Sequence, residues 1–208
     1  MSEQDIVTLA RKGDQAAFTI LVQTYQTPIY NLCYRMLGEA DQAQDATQET
    51  FLRAYTQFHR YDPERPFKTW LFSIASHFCI DRLRRRRVTW LDIDDEPLSG
   101  HPALREKRVG PEDAALQGER ASDVQALLET LPPKDRAAVV MLYWYDLSYQ
   151  EIAEATGTTV SAVKSRLHRA RAAMADTLQA KDARDRAPQR RARPAPLAGT
   201  GALAAAWA

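Results

Sequence analysis

The chain has little of what a membrane or secreted protein needs. No apolar run among its 208 residues approaches the roughly 18 that cross a bilayer, and the N-terminal segment MSEQDIVTLARKGD lacks the apolar centre of a signal peptide. The two cysteines, Cys33 and Cys79, stand in apolar contexts without a Cys or His at zinc-site spacing. We therefore expect a cytoplasmic protein with reduced core thiols, no membrane insertion, no metal and no cofactor.

The chain also lacks an excess of either charge. Its 28 Lys and Arg residues against 27 Asp and Glu residues leave a net charge of +1. The charges are nevertheless segregated, because arginines dominate 82–87 and 164–171 while an acidic cluster occupies 92–96. A near-neutral total implies weak non-specific attraction to DNA. This balance suits a protein that binds DNA only as a subunit of a larger enzyme.

What is present is helical periodicity, interrupted once. Apolar spacing and capping residues predict helices throughout the N-terminal part, including one that starts at Thr27-Pro28 and others over about 41–58 and 67–87. The periodicity disappears from Val88 to about Gly110, where prolines, glycines and acidic residues mark a linker. The fold class that follows is all-α, with two small helical domains joined by a flexible linker. The boundaries are 1–88 for the first domain, 89–111 for the linker, 112–180 for the second domain, and 181–208 for a tail predicted to be disordered.

The stretch YDPERPFKTWLFSIASHFCIDRLRRRR, residues 61–87, combines a proline turn, an aromatic helix and a run of arginines. Two apolar faces of the helix leave a narrow polar stripe that contains Thr69, Ser73, Ser76 and His77. Short polar groups leading into positive charge are typical of a protein that reads nucleic acid and holds phosphate. A core helix with a solvated basic end is the alternative interpretation of the same residues.

The helix predicted over 41–58 has an acidic face with an apolar residue in it. Asp45, Gln48 and Glu49 occupy this face, and Leu52 lies among them. An exposed leucine there indicates a docked partner, whereas a simple solvated face is the alternative.

Near the C-terminus, LSYQEIAEATGTTVSAVKSRLHRARAAM has the spacing of a helix-turn-helix. Ser148 can cap a short helix that ends at Gly157, and Thr159 can cap the helix that follows. On that last helix the outward residues can reach base edges while flanking cations suit phosphates, and a solvated basic face is the alternative. The outward set is Ser161, Ser165, His168 and Arg169, and the flanking set is Lys164, Arg166 and Arg171.

These motifs resemble those of the extracytoplasmic-function (ECF) sigma factors, the promoter-specificity subunits of bacterial RNA polymerase. DATQETFLRAYTQF together with 61–87 is similar to their region 2, and 133–174 is similar to their region 4. The resemblance covers roughly residues 5–178. It implies a protein without catalysis of its own that directs core RNA polymerase to promoter DNA and assists promoter opening. It also implies an anti-sigma factor as a further partner, whose identity the sequence does not give.

The resemblance also implies which residues act. For the core polymerase contact they are Asp45, Gln48, Glu49 and Leu52. For the minus-10 element they are Trp70, Ser73, Ser76, His77, Arg82, Arg84, Arg85, Arg86 and Arg87, with the loop 59–66 forming a pocket for an unstacked base. For the minus-35 element they are Ser161, Lys164, Ser165, Arg166, His168, Arg169 and Arg171. His77 departs from the asparagine of many members, which leaves the minus-10 preference open.

Two other functions compete with this interpretation. A stand-alone helix-turn-helix regulator that binds duplex DNA as a dimer would explain 133–174 but not the pattern in 41–87. A nuclease would need Asp45 and Glu49 to hold a metal, yet no second acidic pair or histidine accompanies them.

Overall fold

Helices form all the regular structure in residues 2–91 and 122–186, the ranges that the computed structural model describes. The all-α prediction is therefore confirmed there. None of the helices in these ranges combines the length and the apolar character of a membrane span. In chain order they are α1 (Glu3–Arg11), α2 (Gln15–Leu37), α3 (Ala40–Gln57), a turn of 3-10 helix (Phe58–Arg60), α4 (Phe67–Leu91), α5 (122–129), α6 (Pro133–Tyr145), α7 (Tyr149–Ala155) and α8 (Val160–Arg186).

Two of the predicted domain boundaries, at 88 and 180, lie close to the ends of the described ranges. Helix α4 continues past residue 88 to Leu91, so the predicted linker lies outside those residues except for its first turn. Helix α8 continues past the expected domain end at 180 to Arg186, and the remainder of the predicted tail lies outside them as well.

Pro28 lies inside α2, so the predicted helix start at Thr27-Pro28 is wrong. Helix α2 runs without a break for 23 residues. An interior proline costs about 3 kcal/mol because it removes a hydrogen bond and crowds the preceding turn. Burial opposes this cost, since Leu21, Ile29 and Leu32 are each at most 2% exposed and each contributes about 1.5–3 kcal/mol. The continuous apolar stripe on both sides of the proline therefore keeps the helix intact.

An aromatic cluster joins the loop 61–66 to the start of α4. The ring centroid of Phe58 lies 5.7 Å from that of Phe67 and 5.5 Å from that of Trp70, while those of Tyr61 and Trp70 are 5.1 Å apart. The Tyr61 hydroxyl donates to the carbonyl oxygen of Arg65 at 2.5 Å. Because the rings are packed edge to face and stacked, the loop is held against the helix that follows it.

The predicted helix-turn-helix is present as α7 and α8, packed on α6. Ser148 and Glu151 form a reciprocal capping box at the start of α7. The Thr159 hydroxyl oxygen accepts a hydrogen bond from the Ala162 N–H at 3.2 Å, which caps α8. Both caps are the ones that the sequence predicts. Three buried residues, Val163, Leu167 and Ala170, form the inner face of α8.

The two helical parts of the chain pack against each other, with α6 on α2 and α4, and α7 on α4. The Tyr145 hydroxyl donates to the Pro28 carbonyl oxygen at 2.7 Å, and the Tyr145 ring meets that of Phe72 at 4.6 Å. Lys68 Nζ donates to the Tyr145 carbonyl oxygen at 2.8 Å. Arg35 stacks its guanidinium over Trp144 at 4.8 Å. The interface therefore combines ring packing with side-chain bonds to backbone carbonyls.

At this interface the guanidinium of Arg136 connects the ends of two helices. Arg136 is only 6% exposed. Its Nη1 donates to the Met36 carbonyl oxygen at 2.5 Å, and its Nη2 donates to the Glu129 carbonyl oxygen at 2.9 Å. These carbonyls lie in the last turns of α2 and α5, where no intrahelical donor remains. A cation at two helix C-termini is also favoured by both helix dipoles.

Gly38 ends α2 beside this contact. Its φ of 82° is left-handed, a conformation that other residues rarely adopt. Glycine is therefore required here by the backbone conformation that ends the helix.

We expect Arg136→Met to lower the free energy of unfolding by about 2 kcal/mol, because two buried backbone carbonyls lose their donors. Methionine retains much of the side-chain volume, so the change tests the hydrogen bonds. Urea unfolding followed by circular dichroism measures it. The control is Lys134→Met in the same turn, an exposed position at which we expect a change within about 0.5 kcal/mol. Equal stabilities for the two variants would contradict the assigned role.

Burial raises the pKa of Tyr145 to about 12. The neutral hydroxyl is the form that bonds to Pro28, so its contribution to stability is complete below the ordinary tyrosine pKa of 10.0 and is lost as the pH rises toward 12. We expect the tyrosinate absorbance that is missing from Tyr145→Phe to develop near pH 12. If this absorbance instead develops near pH 10.0, the ordinary value, Tyr145 is solvated.

Candidate nucleic-acid interface

Helix α3 presents an acidic face that contains two large apolar side chains. Asp45 and Gln48 are exposed, Leu52 is 59% exposed and Tyr55 is 51% exposed. Leu52 and Tyr55 are three positions apart and so lie on the same face. The sequence analysis missed Tyr55, although its spacing from Leu52 could have identified it. An exposed apolar pair that follows the carboxylates Asp45 and Glu49 along one helix face is a surface suited to a protein partner.

Ion pairs join the acidic residues of α3 to basic residues of α3 and α4. Asp45 lies 3.6 Å from Arg82, Glu49 lies 2.6 Å from Arg53, and Glu39, just before α3, lies 3.1 Å from Arg86. Exposed pairs of this kind contribute only about 0–1 kcal/mol each, so a partner or a phosphate can replace them at low cost.

These pairings bear on two sequence predictions. Arg82 and Arg86 of the basic run face carboxylates, Arg84 and Arg85 are exposed, and the side chain of Arg87 lies outside the described residues. Asp45 and Glu49, the pair that a nuclease would need, each face an arginine. Within 2–91 and 122–186, no three His, Cys, Asp or Glu side chains are grouped as metal ligands would be.

The polar stripe of α4 is mostly covered. Thr69 is 2% exposed, Ser76 is fully buried, and Ser73 is half-buried with its hydroxyl donating to the Trp70 carbonyl oxygen at 2.7 Å. His77 is the exposed member. Trp70 is half-buried in the aromatic cluster.

The second helical part covers this stripe. One face of α4 meets α6 and α7. At helical spacing this face contains Lys68, Thr69, Phe72 and Ser76. Farther along, His77 Nε2 lies 3.9 Å from where a Cβ on Gly157 would stand. The Glu151 carboxylate at the start of α7 lies close enough to Lys68 and Thr69 for both to lower its pKa, after the larger effect of its bonds to Ser148.

A cleft of about 590 Å³ lies beside the loop predicted to hold an unstacked base. It is formed between 63–68 and the side chains of Glu3, Gln4, Val7 and Tyr25. The Tyr25 hydroxyl donates to Glu3 Oε1 at 2.6 Å, and burial raises the Tyr25 pKa. The predicted polar partners Ser73, Ser76 and His77 do not line this cleft.

Helix α8 separates an inner apolar face from an outer polar one, as the sequence predicts. Val163, Leu167 and Ala170 are buried. Arg166 is half-buried, and its Nη1 is buried without a hydrogen-bond partner among the described residues. The exposed set is Ser161, Lys164, Ser165, His168, Arg169 and Arg171.

Two exposed arginines of α8 are held by residues of α6 that the sequence analysis did not identify. Arg169 donates from Nε to Asp135 Oδ2 at 3.3 Å and from Nη2 to Asp135 Oδ1 at 3.1 Å. Arg171 donates from Nε to the Tyr143 hydroxyl at 2.9 Å. Both contacts join residues 28 or more positions apart, so no local spacing predicts them.

Comparison with known proteins agrees with this arrangement. Residues 21–89 match the Sigma-70 region 2 family, and residues 121–174 match a Sigma-70 region 4 family. The chain is 39% identical over 173 residues to the ECF RNA polymerase sigma factor SigW of Bacillus subtilis, covering 81% of this chain and 92% of that protein. It is 33% identical over 184 residues to the ECF RNA polymerase sigma-E factor of Escherichia coli, covering 86% and 95%.

Solved structures show the same fold. CnrH, in complex with the cytosolic domain of CnrY, superposes with a TM-score of 0.60 at 25% identity, covering 86% of this chain and 97% of CnrH. RpoE of Bartonella quintana, in complex with the anti-sigma factor NepR, gives a TM-score of 0.59 at 21% identity, covering 78% and 96%.

The match over α2–α4 leaves the stand-alone regulator without support, because that interpretation does not explain residues 21–89. Identity to SigW over most of both chains, with both sigma regions present, establishes the family. The chain belongs to the extracytoplasmic-function sigma factors, the subunits that direct bacterial RNA polymerase to promoters and take part in transcription initiation.

Proposed function

We propose that three surfaces of this sigma factor have separate roles in transcription initiation. The face of α3 that contains Asp45, Gln48, Glu49 and Leu52 docks on core RNA polymerase. Helix α4 with the loop 59–66 binds the minus-10 element, and the outer face of α8 binds the minus-35 element. The observation that carries the first assignment is the exposure of Leu52 and Tyr55 within an acidic face. We add Tyr55 to the polymerase contact on the same ground.

The minus-35 assignment is supported by the division of α8 into a buried face and an exposed basic face. Ser161, Ser165, His168 and Arg169 are exposed on the side of α8 away from its core, where a recognition helix presents base-reading side chains. Lys164, Arg166 and Arg171 flank this surface and are suited to phosphates.

The minus-10 assignment requires the two helical parts to separate. Ser76 is fully buried, and α6 and α7 pack against the face of α4 on which it lies. DNA can reach Ser73 and Ser76 only after α7 has moved away, whereas His77, Arg84 and Arg85 are exposed beforehand. For the two parts to separate, binding to polymerase must replace the carbonyl bonds of Lys68, Arg136 and Tyr145 and the ring contact between Phe72 and Tyr145.

Family membership supports two further parts of the proposal, action in the cytoplasm and regulation by an anti-sigma factor. Core polymerase and the chromosome share the cytoplasm, so this sigma factor acts there, associated with the nucleoid when bound to polymerase. An anti-sigma factor that covers the α3 face or the DNA-binding helices would keep it inactive. Co-purification of the tagged full chain from its own cells, followed by competition with core polymerase, tests for such a partner.

We expect Leu52→Glu to weaken binding to core RNA polymerase at least about tenfold, because the variant loses apolar burial of about 1.5–3 kcal/mol and introduces a charge at the interface. Fluorescence titration of labelled protein with purified core measures the change. Leu9→Glu is the matched control, since Leu9 is exposed on α1 outside the matched regions. Equal affinities for the two variants would remove α3 from the interface.

We expect His77→Asn to change which base is preferred at one position of the minus-10 element, because amide and imidazole groups offer different donors and acceptors. Transcription from a pool randomised over both elements measures the preference. The minus-35 preference of the same variant is the internal control and should be unchanged. An unaltered minus-10 profile would exclude His77 from base reading.

A further inference from the structure

We propose that Asp135 is a positioning residue for Arg169 and orients its guanidinium to read a guanine edge in the minus-35 duplex. The proposal deepens the function proposed above and rests on the assignment of α8 to that element. It concerns a residue in the first turn of α6, outside the helix-turn-helix and with no place among the DNA-binding residues considered so far.

The geometry of the pair leaves the DNA-binding end of Arg169 available. A guanidinium has five N–H donors in a fixed plane. Asp135 accepts from Nε at 3.3 Å and from Nη2 at 3.1 Å, so it occupies one side edge of that plane. The remaining donors, on Nη1 and the outer position of Nη2, point away from the carboxylate. Two parallel donors of this kind match the O6 and N7 acceptors of guanine.

The difference in burial between the two partners assigns their roles. The side chain of Asp135 is 6% exposed, whereas that of Arg169 is 60% exposed. Because the Asp135 carboxylate is buried, its position is fixed by the surrounding protein. The Arg169 guanidinium that it binds is exposed, so its remaining donors are accessible to a ligand. Arg169 therefore loses rotamer freedom on folding and not on binding DNA, which favours the bound geometry.

The support under Asp135 is rigid. Its backbone N–H donates to the Pro132 carbonyl oxygen at 2.9 Å, and the next residue is the buried Arg136. The carboxylate also lies in the first turn of α6, where the helix dipole favours a negative charge. By contrast, Arg171 donates to the hydroxyl of Tyr143, whose side chain is 54% exposed and so is a less rigid support.

Pairing also changes what Arg169 can distinguish. An arginine beside a carboxylate has part of its charge neutralised, which weakens its attraction for phosphate on any sequence. Its hydrogen-bond geometry is retained and fixed. The pair therefore increases discrimination between bases more than it increases affinity for DNA in general. Buried groups in other binding sites act similarly when they hold a ligand-contacting side chain in one orientation.

A purely structural ion pair between α6 and α8 is the competing explanation, and the two differ in a measurable property. Loss of a structural pair lowers stability and weakens binding to all sequences equally. Loss of a positioning pair changes the preference at one base pair of the minus-35 element, at the position that Arg169 reads.

The experiment measures holoenzyme binding to duplexes randomised over the minus-35 element, using purified core polymerase and the full chain. The variants are Arg169→Ala, Asp135→Asn and the double variant. Asp123→Asn is the matched control, because Asp123 also pairs with a cation of α8, Lys181, at 2.7 Å. We expect Arg169→Ala to reduce discrimination at one position by about fivefold or more. Asp135→Asn should reduce it at the same position, the double variant should add nothing, and the control should leave the profile unchanged.

Each of the other outcomes contradicts either this inference alone or the proposed role of α8 as well. If Arg169→Ala changes the profile and Asp135→Asn lowers binding to all duplexes equally, the pair is structural and only this inference fails. If Arg169→Ala leaves the profile unchanged, the proposed role of α8 fails together with it. Should Asp135→Asn not fold, Asp135→Glu retains the charge but moves the carboxylate, and it must still alter preference at that one position.

Discussion

A buried guanidinium, that of Arg136, bonds to both helical parts of this molecule and holds them together along with the contacts of Tyr145, Lys68 and Arg35. Arg136 donates to carbonyl oxygens in the last turns of α2 and α5, and thus satisfies acceptors in both helical parts at once. A buried cation is costly unless it is surrounded by acceptors, and here the acceptors are helix C-termini, which are also electrostatically favourable. This arrangement contributes to the placement of α6 on α2, while the contacts of Lys68 and Phe72 with Tyr145 contribute to its placement on α4.

Two consecutive residues of α6 connect the packing of the two helical parts with the surface proposed to bind the minus-35 element. Arg136 reaches back to α2, and Asp135 reaches forward to Arg169 of α8. The same turn of helix therefore sets the relation between the halves and the orientation of an exposed arginine on the recognition helix. Of the three surfaces proposed to act in initiation, those on α3 and α8 are exposed in this form, while the stripe on α4 lies under α7.

Local features of the fold could be predicted from the sequence because local physics determines them. The Ser148 and Thr159 caps follow from side chains that bond to the next turn, and the exposed Leu52 follows from helical periodicity. Pro28 was misjudged because burial along a 23-residue helix outweighs the local cost of proline. Helix existence was thus easier to predict than helix boundaries.

Contacts between distant residues could not be predicted in the same way. The burial of Ser76, the bond from Arg136 to Met36 and the support of Arg169 by Asp135 join positions that no periodicity relates. Residue types nevertheless gave the chemistry of the α8 face correctly as outward polar and basic groups over an apolar core. Residue types did not show which of these groups is held in place by another side chain, as Arg169 is by Asp135.

Run-off transcription by purified bacterial core polymerase, with and without the chain, tests the function most directly. A pool of promoter fragments serves as template, and the transcripts identify the fragments used. We expect defined start sites that appear only with the chain and share one sequence at each of two separated elements. Polymerase that gains no start-site selection, while the chain alone retains particular duplexes, would contradict the assignment.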